Sequence, residues 1–372
     1  MTPMGRMKPA PRHLGLVAPL LVVLGALAAC SAAPSDAHPA APVGVAAPDQ
    51  PGGDMADPAA PAMPAPAPVT PACSPLVPRT TPLEVSVLPD AGATPFVSVL
   101  ARATRTIRVM VYELGTGPII DTLEAKARAG VKVQMILDVA QMSVNQKYMD
   151  RLKAAGADVI WSDTAFQYMH AKVLVVDETE AVVSTGNYAA FRMNMERNYA
   201  VHDSDPADVD VLVKLFDADF ARKAPELSCT RLLVSPVNAK QRLLDFVASA
   251  KTEIVVESMQ LADDDMRNAL AARRAAGVSV RVLLADTGWI SANADAATFL
   301  AAHDIEAREM TSPAVHVKAV VVDGQTAYAG SINLSWTSLT KNREVGLLLT
   351  EPANVSMMHD TFEKDWATAT KL

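Results

Sequence analysis

Two stretches of this chain repeat one pattern at one spacing. His170-Ala-Lys172 is followed by Asp177 and then Asn187; His316-Val-Lys318 is followed by Asp323 and then Asn333. A single His-x-Lys is common by chance. Two with the same internal spacing, about 146 residues apart, mark a duplicated unit, and such a chain must fold as two similar parts. The repeat runs well past the motifs. Arg105–Leu114 aligns with Thr252–Leu261, Ala127–Leu137 aligns with Arg274–Leu284, and Pro206, Phe216, Asp219 and Phe220 align with Pro352, Phe362, Asp365 and Trp366.

Each copy reads as α/β. The β-branched runs Ile107–Val111, Val131–Leu137, Lys172–Val176 and Ala181–Ser184 predict strands. Between the first two, Ile119–Ala129 has helical apolar spacing and ends at Gly130, which makes a parallel βαβ unit. Pro206–Ala221 predicts a long helix packed on the sheet by Val209, Leu212, Val213, Phe216 and Phe220. Lys172–Val176 and Val317–Val322 are apolar enough for buried central strands. Alternation then puts His170 and Lys172 on one face of a strand, and likewise His316 and Lys318. A helix over Leu334–Leu339 would point its N-terminal dipole at the second motif. The folded halves are expected over residues 79–228 and 229–372.

The N-terminus has a different character. Arg6, Lys8 and Arg12 precede an apolar run, Leu14–Ala29, of roughly 16 residues, short of the about 20 that a membrane span needs. Residues 1–29 read as a secretory signal peptide. Leu27-Ala28-Ala29-Cys30 resembles the bacterial lipobox, which implies acylation of Cys30; the alternative is an ordinary signal peptide with an incidental cysteine. The alanine- and proline-rich residues from Ser31 to about Pro75 cannot build a core, so residues 30–78 read as a lipid-anchored linker with a reach of roughly 40 to 140 Å. The expected location is the bacterial cell envelope. In an exported chain the remaining cysteines, Cys73 and Cys229, make either one disulfide or two unrelated thiols. A bridge would close about 155 residues and contribute at most about 5 kcal/mol.

An imidazole beside an ammonium suits a phosphate diester. The diester's negative charge repels anionic nucleophiles but not a neutral imidazole, and lysine stabilises charge on the non-bridging oxygens. Passing through a phosphohistidine needs a second group to protonate the leaving alcohol and then deprotonate water. One copy holds one such histidine; two facing copies hold both. His170, Lys172, Asn187, His316, Lys318 and Asn333 are therefore expected around one cleft. Asp177 and Asp323 belong to the same candidate set, although each follows an apolar strand, where aspartate also serves to hold the strand end. His13, His38, His202, His303 and His359 have no partner pattern, and nothing has the spacing of a metal site or calls for a cofactor. The net charge of −8 argues against a general polyanion binder.

His316-Val-Lys318, Asp323 and Gly330-Ser331-Ile332-Asn333 resemble the H-x-K-x(4)-D-x(6)-G-S-x-N signature of the phospholipase D superfamily, with likeness over about residues 80 to 372. The resemblance implies two pseudo-symmetric halves, each a mixed sheet flanked by helices, with the site at their interface, in a monomer with an internal pseudo-dimer. It implies His170 as nucleophile, His316 as general acid/base, and Lys172, Lys318, Asn187, Asn333, Thr185 and Ser331 around the phosphate. It also implies a carboxylate eleven residues after the asparagine that orients the histidine, which is Glu344 in the second copy. The first copy departs from the signature, with Ser184 and Thr185 at the Gly-Ser positions and Asn198 at the acid. Unless Glu196 substitutes, His170 would be the less polarised imidazole. The implied activity is hydrolysis of phospholipid headgroup esters at a membrane surface, or transfer of the phosphatidyl group to an alcohol. The alternatives are an exported nuclease acting on DNA or RNA, and a silent binding protein that keeps the fold.

Overall fold

The computed structural model describes residues 73–227 and 229–372. The expected signal peptide, Cys30 and most of the expected linker lie outside the described residues. No helix among the described residues is long and apolar enough to cross a membrane.

Each repeat builds one mixed sheet, of seven strands in the first and eight in the second. In the first, Lys172–Val176 lies centrally, antiparallel to Thr106–Val111 on one side and Glu180–Ser184 on the other. Lys132–Leu137 and Asp158–Trp161 extend the sheet in parallel, linked by helices Pro118–Arg128 and Met142–Ala154. Glu196–Asp203 and Glu84–Leu88 complete the opposite side. The second sheet repeats the plan around Lys318–Val322, flanked by Glu253–Ser258 and Thr326–Gly330. The sheets are joined by backbone pairing too, because Ala314–Val315 of the second repeat pairs in parallel with Glu196 and Arg197 of the first.

Strand alternation divides the apolar side chains into layers. Val173 and Val175 enter a core shared by both sheets, together with Val321, Leu347 and the long helices Pro206–Phe220 and Pro352–Thr368. Leu174 and Val176 face the outer core of the first repeat, and Val320 and Val322 that of the second. Sandwiched between helices on one face and its twin on the other, each sheet is buried on both faces, so its central strands carry near-continuous apolar runs. The structure shifts two expected features. Both motif strands begin at the lysine, so His170 and His316 sit in the segments just before them rather than within a strand. The helix expected from Leu334 begins at Trp336, is five residues long, and is capped by Ser335.

Buried ion pairs cross the seam, among them those of Arg231 with Asp205 and Asp208 and two that flank the histidines. Arg197 Nε lies 2.5 Å from Asp365 on the second repeat's long helix, and Arg343 Nε lies 2.8 Å from Asp219 on the first repeat's. Burial pushes the Asp219 carboxyl up to about 6 against the pull of Arg343, which leaves it ionised at neutral pH. Cys73 and Cys229 form a disulfide, Cα–Cα 4.8 Å, that ties the start of the described chain to the junction of the repeats.

Removing one partner of a buried pair strands the other charge. Asp365→Ala is expected to cost about 3–5 kcal/mol in denaturant unfolding. Asp210→Ala, which breaks the exposed pair with Lys214, is expected to change the midpoint hardly at all.

Candidate active site

The pseudo-symmetric seam places the two histidines. The His170 backbone N–H donates to the Arg343 carbonyl at 2.9 Å, and the His316 N–H donates to the Arg197 carbonyl at 3.2 Å. Each motif is thus held by the other repeat. Lys172 and Lys318 are buried, and each donates to the carbonyl of its own histidine, at 2.7 and 2.6 Å. The repeats are close enough here that the Lys318 charge acts on His170 and the Lys172 charge on His316.

The orienting groups are crossed as well, which corrects the expectation that Glu344 serves its own repeat and leaves His170 unsupported. Glu344 Oε2 lies 2.8 Å from His170 Nδ1, across the seam. Asn198 Oδ1 lies 3.1 Å from His316 Nδ1, with Glu196 Oε2 at 3.6 Å. The reason is topological: the strand beginning at Glu344 runs into the motif segment of the first repeat, as the strand beginning at Glu196 runs into that of the second. In both places a carboxylate and an amide stand two residues apart. The order is Glu196-Arg197-Asn198 in one repeat and Asn342-Arg343-Glu344 in the other. Asn198 Nδ2 donates to Glu196 at 3.3 Å and Asn342 Nδ2 donates to Glu344 at 2.9 Å. One histidine therefore meets the carboxylate backed by an amide, and the other meets the amide backed by a carboxylate.

These contacts fix tautomers. Burial alone would raise Glu344, but His170 and Lys172 hold it below its ordinary range, so it is ionised and can only accept. His170 Nδ1 carries the proton and Nε2 is left for chemistry. Burial pushes the His170 imidazole down to about 4, with Glu344 opposing and Lys172 adding to the shift. Burial, reinforced by Lys318, Lys172 and His170, pushes His316 well below its ordinary value. Both rings are neutral at neutral pH.

Asn187 and Asn333 are buried, and the amide oxygen of each has no hydrogen-bond partner, a costly state for groups inside a fold unless a ligand meets them. Asn187 Nδ2 reaches Glu113 at 3.5 Å. Thr185 and Ser331 do not fit the phosphate-binding role expected of them, because their hydroxyls are already engaged. Thr185 Oγ1 donates to Asn198 at 2.8 Å and accepts from the Tyr199 N–H at 2.9 Å. Ser331 Oγ bonds the carbonyl and N–H of Val345 at 3.3 and 3.2 Å. Asp177 and Asp323 are not part of the site either. Each sits at the far end of its motif strand, about 17 Å from the histidine end at the usual rise of about 3.3 Å per residue. There Asp177 accepts from the backbone N–H groups of Thr104, Arg105 and Thr106, and Asp323 from those of Lys251, Thr252 and Glu253.

Other contributors had no motif to reveal them. The Tyr112 ring packs edge-on to His170, centroids 4.8 Å apart, and lies 5.4 Å from Lys172 Nζ. Trp289 stacks near His316 at 6.2 Å. Buried Asn145 clamps Tyr112 and Leu114, and Asn293 clamps Met259 and Leu261 in the same way, a repeat-related pair that the alignment could have exposed. Gly186 leaves space for Asn198, since a Cβ there would lie 2.7 Å from the Asn198 side chain. Elsewhere, Glu253, His359 and Glu363 bring three potential metal-ligand atoms within 4.8 Å, but Arg281 pairs with both carboxylates there, which makes the group an ion-pair network.

Two facing sheets that each bring a His-Lys-Asn set to one seam define the phospholipase D class of fold. Residues 96–223 and 243–366 match the family described as "Cardiolipin synthase, PLD-like domain", so the chain belongs to that family and to the phospholipase D superfamily. It is 24% identical over 301 residues to a cardiolipin synthase of Clostridium perfringens, covering 68% of this chain and 63% of the relative's length. Among solved structures, a phosphatidylserine synthase from Haemophilus influenzae shares the fold with a TM-score of 0.60 at 12% identity, covering 77% of this chain and 87% of that one. A polyphosphate kinase from Porphyromonas gingivalis also reaches 0.60, at 16% identity over 76% of this chain and 46% of that one.

Glu344→Gln is expected to lower kcat by about a hundredfold or more, the effect of losing a fixed imidazole tautomer. Because Glu344 raises the His170 pKa, its loss should also move the acid limb of the kcat/KM profile below its starting position near pH 4. Asn198→Ala, acting on His316, is expected to cost less and to leave that limb in place. A pH–rate series on the three proteins checks both.

Proposed function

We propose that this chain is a phosphodiester-processing enzyme of phospholipids that transfers a phosphatidyl group through a phosphohistidine on His170. The observation that carries this reading is the crossed pair of imidazoles. Each is held at its Nδ1 side by the opposite repeat, and His170 receives the ionised carboxylate. Nε2 of His170 attacks phosphorus, the P–O bond to the leaving headgroup breaks, and His316 supplies the proton to the departing oxygen. In the second half-reaction His316 takes a proton from water or an alcohol, whose oxygen attacks phosphorus and releases His170. Water gives phosphatidic acid; an alcohol gives a new phospholipid. Lys172, Lys318, Asn187 and Asn333 surround the diester oxygens.

The electrostatics fit an anionic substrate. Burial gives the largest downward push on His316 and the two lysines add to it, and a bound phosphate offsets the lysines' part. Substrate binding thereby brings His316 toward the protonated state that the first step uses. Kinship with a cardiolipin synthase supports a lipid substrate and an alcohol acceptor, and together with the net charge of −8 it weighs against a nuclease. We also propose that the protein is exported and tethered through Cys30, on the sequence evidence of residues 1–78.

Incubation with phosphatidylcholine, phosphatidylglycerol and single-stranded DNA in parallel tests the substrate class. Turnover of a phospholipid is the expected result, and cleavage of DNA alone would sink the lipid reading. With label in the phosphatidyl moiety, a denaturing quench at mildly alkaline pH, where the P–N bond survives, should trap a labelled enzyme. His170→Ala should abolish it, whereas His316→Ala should slow its formation and its decay.

A further inference from the structure

We infer that the edge of the molecule carrying the active site is a contact surface for a phospholipid bilayer, built from Met142, Phe191, Met195, Val237 and Trp336. The inference rests on the phospholipid reading and adds how the site meets its substrate. These five side chains are 41 to 64% exposed. Among the described residues only Leu76, Met357 and Leu372 are other large apolar groups of comparable exposure. Single exposed apolar residues are ordinary. Five of eight on one edge are not.

Strand register locates them. Lys172 pairs with Val111, and Val111 with Leu137, so the segments after Val111 and Leu137 open on the His170 edge; Met142 begins the helix that follows the second of these. Val173 pairs with Val183, which brings the end of Glu180–Ser184 to the same edge. The chain then passes Asn187 and reaches Phe191 and Met195. In the second repeat Ala319 pairs with Ala329, Gly330 with Gly346, and Glu344 with Ser235, which puts Trp336 and Val237 just beyond the strand ends on the His316 edge. The Met195 carbonyl accepts from the Ala314 N–H at 3.0 Å, tying the two edges together.

The occupant follows from the chemistry of this edge. Lys341 Nζ lies 5.2 Å from the Trp336 ring centre, whereas Arg192, between Phe191 and Met195, is paired with Glu196. An apolar body beside a cationic head is the pairing that settles at headgroup depth, the tail in acyl chains and the charge among phosphates. The site needs such an arrangement, because His170 and His316 are buried and a lipid diester stays at the headgroup plane. The edge must come down to the bilayer. A soluble substrate would make no such demand.

The intact chain tests this in two ways. The triple variant Phe191→Ser, Met195→Ser, Trp336→Ser should lose about tenfold or more turnover on phosphatidylcholine–phosphatidylglycerol vesicles. It should keep turnover of a monomeric short-chain phosphatidylcholine, which also reports folding. Independently of activity, vesicles of brominated phosphatidylcholine should quench tryptophan emission, and Trp336→Phe should remove part of that quenching; an anchor acting alone through its linker would not reach Trp336. Equal losses on both substrates, or no quenching assignable to Trp336, overturns the proposal. So does a dimer by sedimentation equilibrium that the triple variant dissociates, which would assign the face to a second copy. Quenching by Trp336 in a protein that turns over no phospholipid would instead sustain the surface and defeat the functional reading.

Discussion

The register of the seam at the two histidines rests on two arginines. Arg197 and Arg343 sit buried between the sheets, each neutralised by an aspartate from the opposite repeat's long helix. Each also lends its backbone carbonyl to the opposite histidine. A guanidinium taken out of water needs its partners in place, so the ion pairs do more to fix the register of the halves than to add net stability. That register decides which carboxylate meets which imidazole. A slip of one residue would turn Glu344 to the other face of its strand and away from His170.

Within this near-symmetry the chemistry is uneven. The Glu-Arg-Asn and Asn-Arg-Glu orders give the histidines different neighbours while keeping one backbone plan. Gly186 allows the amide version by making space for Asn198, and Thr185 uses its hydroxyl to hold that amide. The aromatic surroundings differ too, with Tyr112 beside His170 and Trp289 beside His316. A nucleophile and an acid have opposite needs, and one backbone plan serves both by exchanging a carboxylate and an amide across two positions.

Much of this was legible in the sequence. Local β-branched runs gave the central strands, Lys172–Val176 to the residue, because a strand buried on both faces has little freedom in composition. The repeat gave the two halves. What stayed hidden depended on the path of the chain. The residue eleven places after each asparagine was visible, but nothing in a linear pattern says that its strand feeds the other repeat, so Glu344 was assigned to the wrong imidazole. Thr185 and Ser331 occupied signature positions, and only the strand pairing shows their hydroxyls taken by the backbone and by Asn198. Tyr112 and Trp289 follow strands without any motif, and they become visible only once loops far apart in the chain converge.

The crossed attachment also bears on why the two copies share one polypeptide. A homodimer of single repeats would have to present identical groups to both imidazoles, since any change in one subunit appears in its mate. Fusion removes that obligation. Each copy is then free to specialise, one toward attack and the other toward proton delivery, while the mutual grip that assembled the pair is kept.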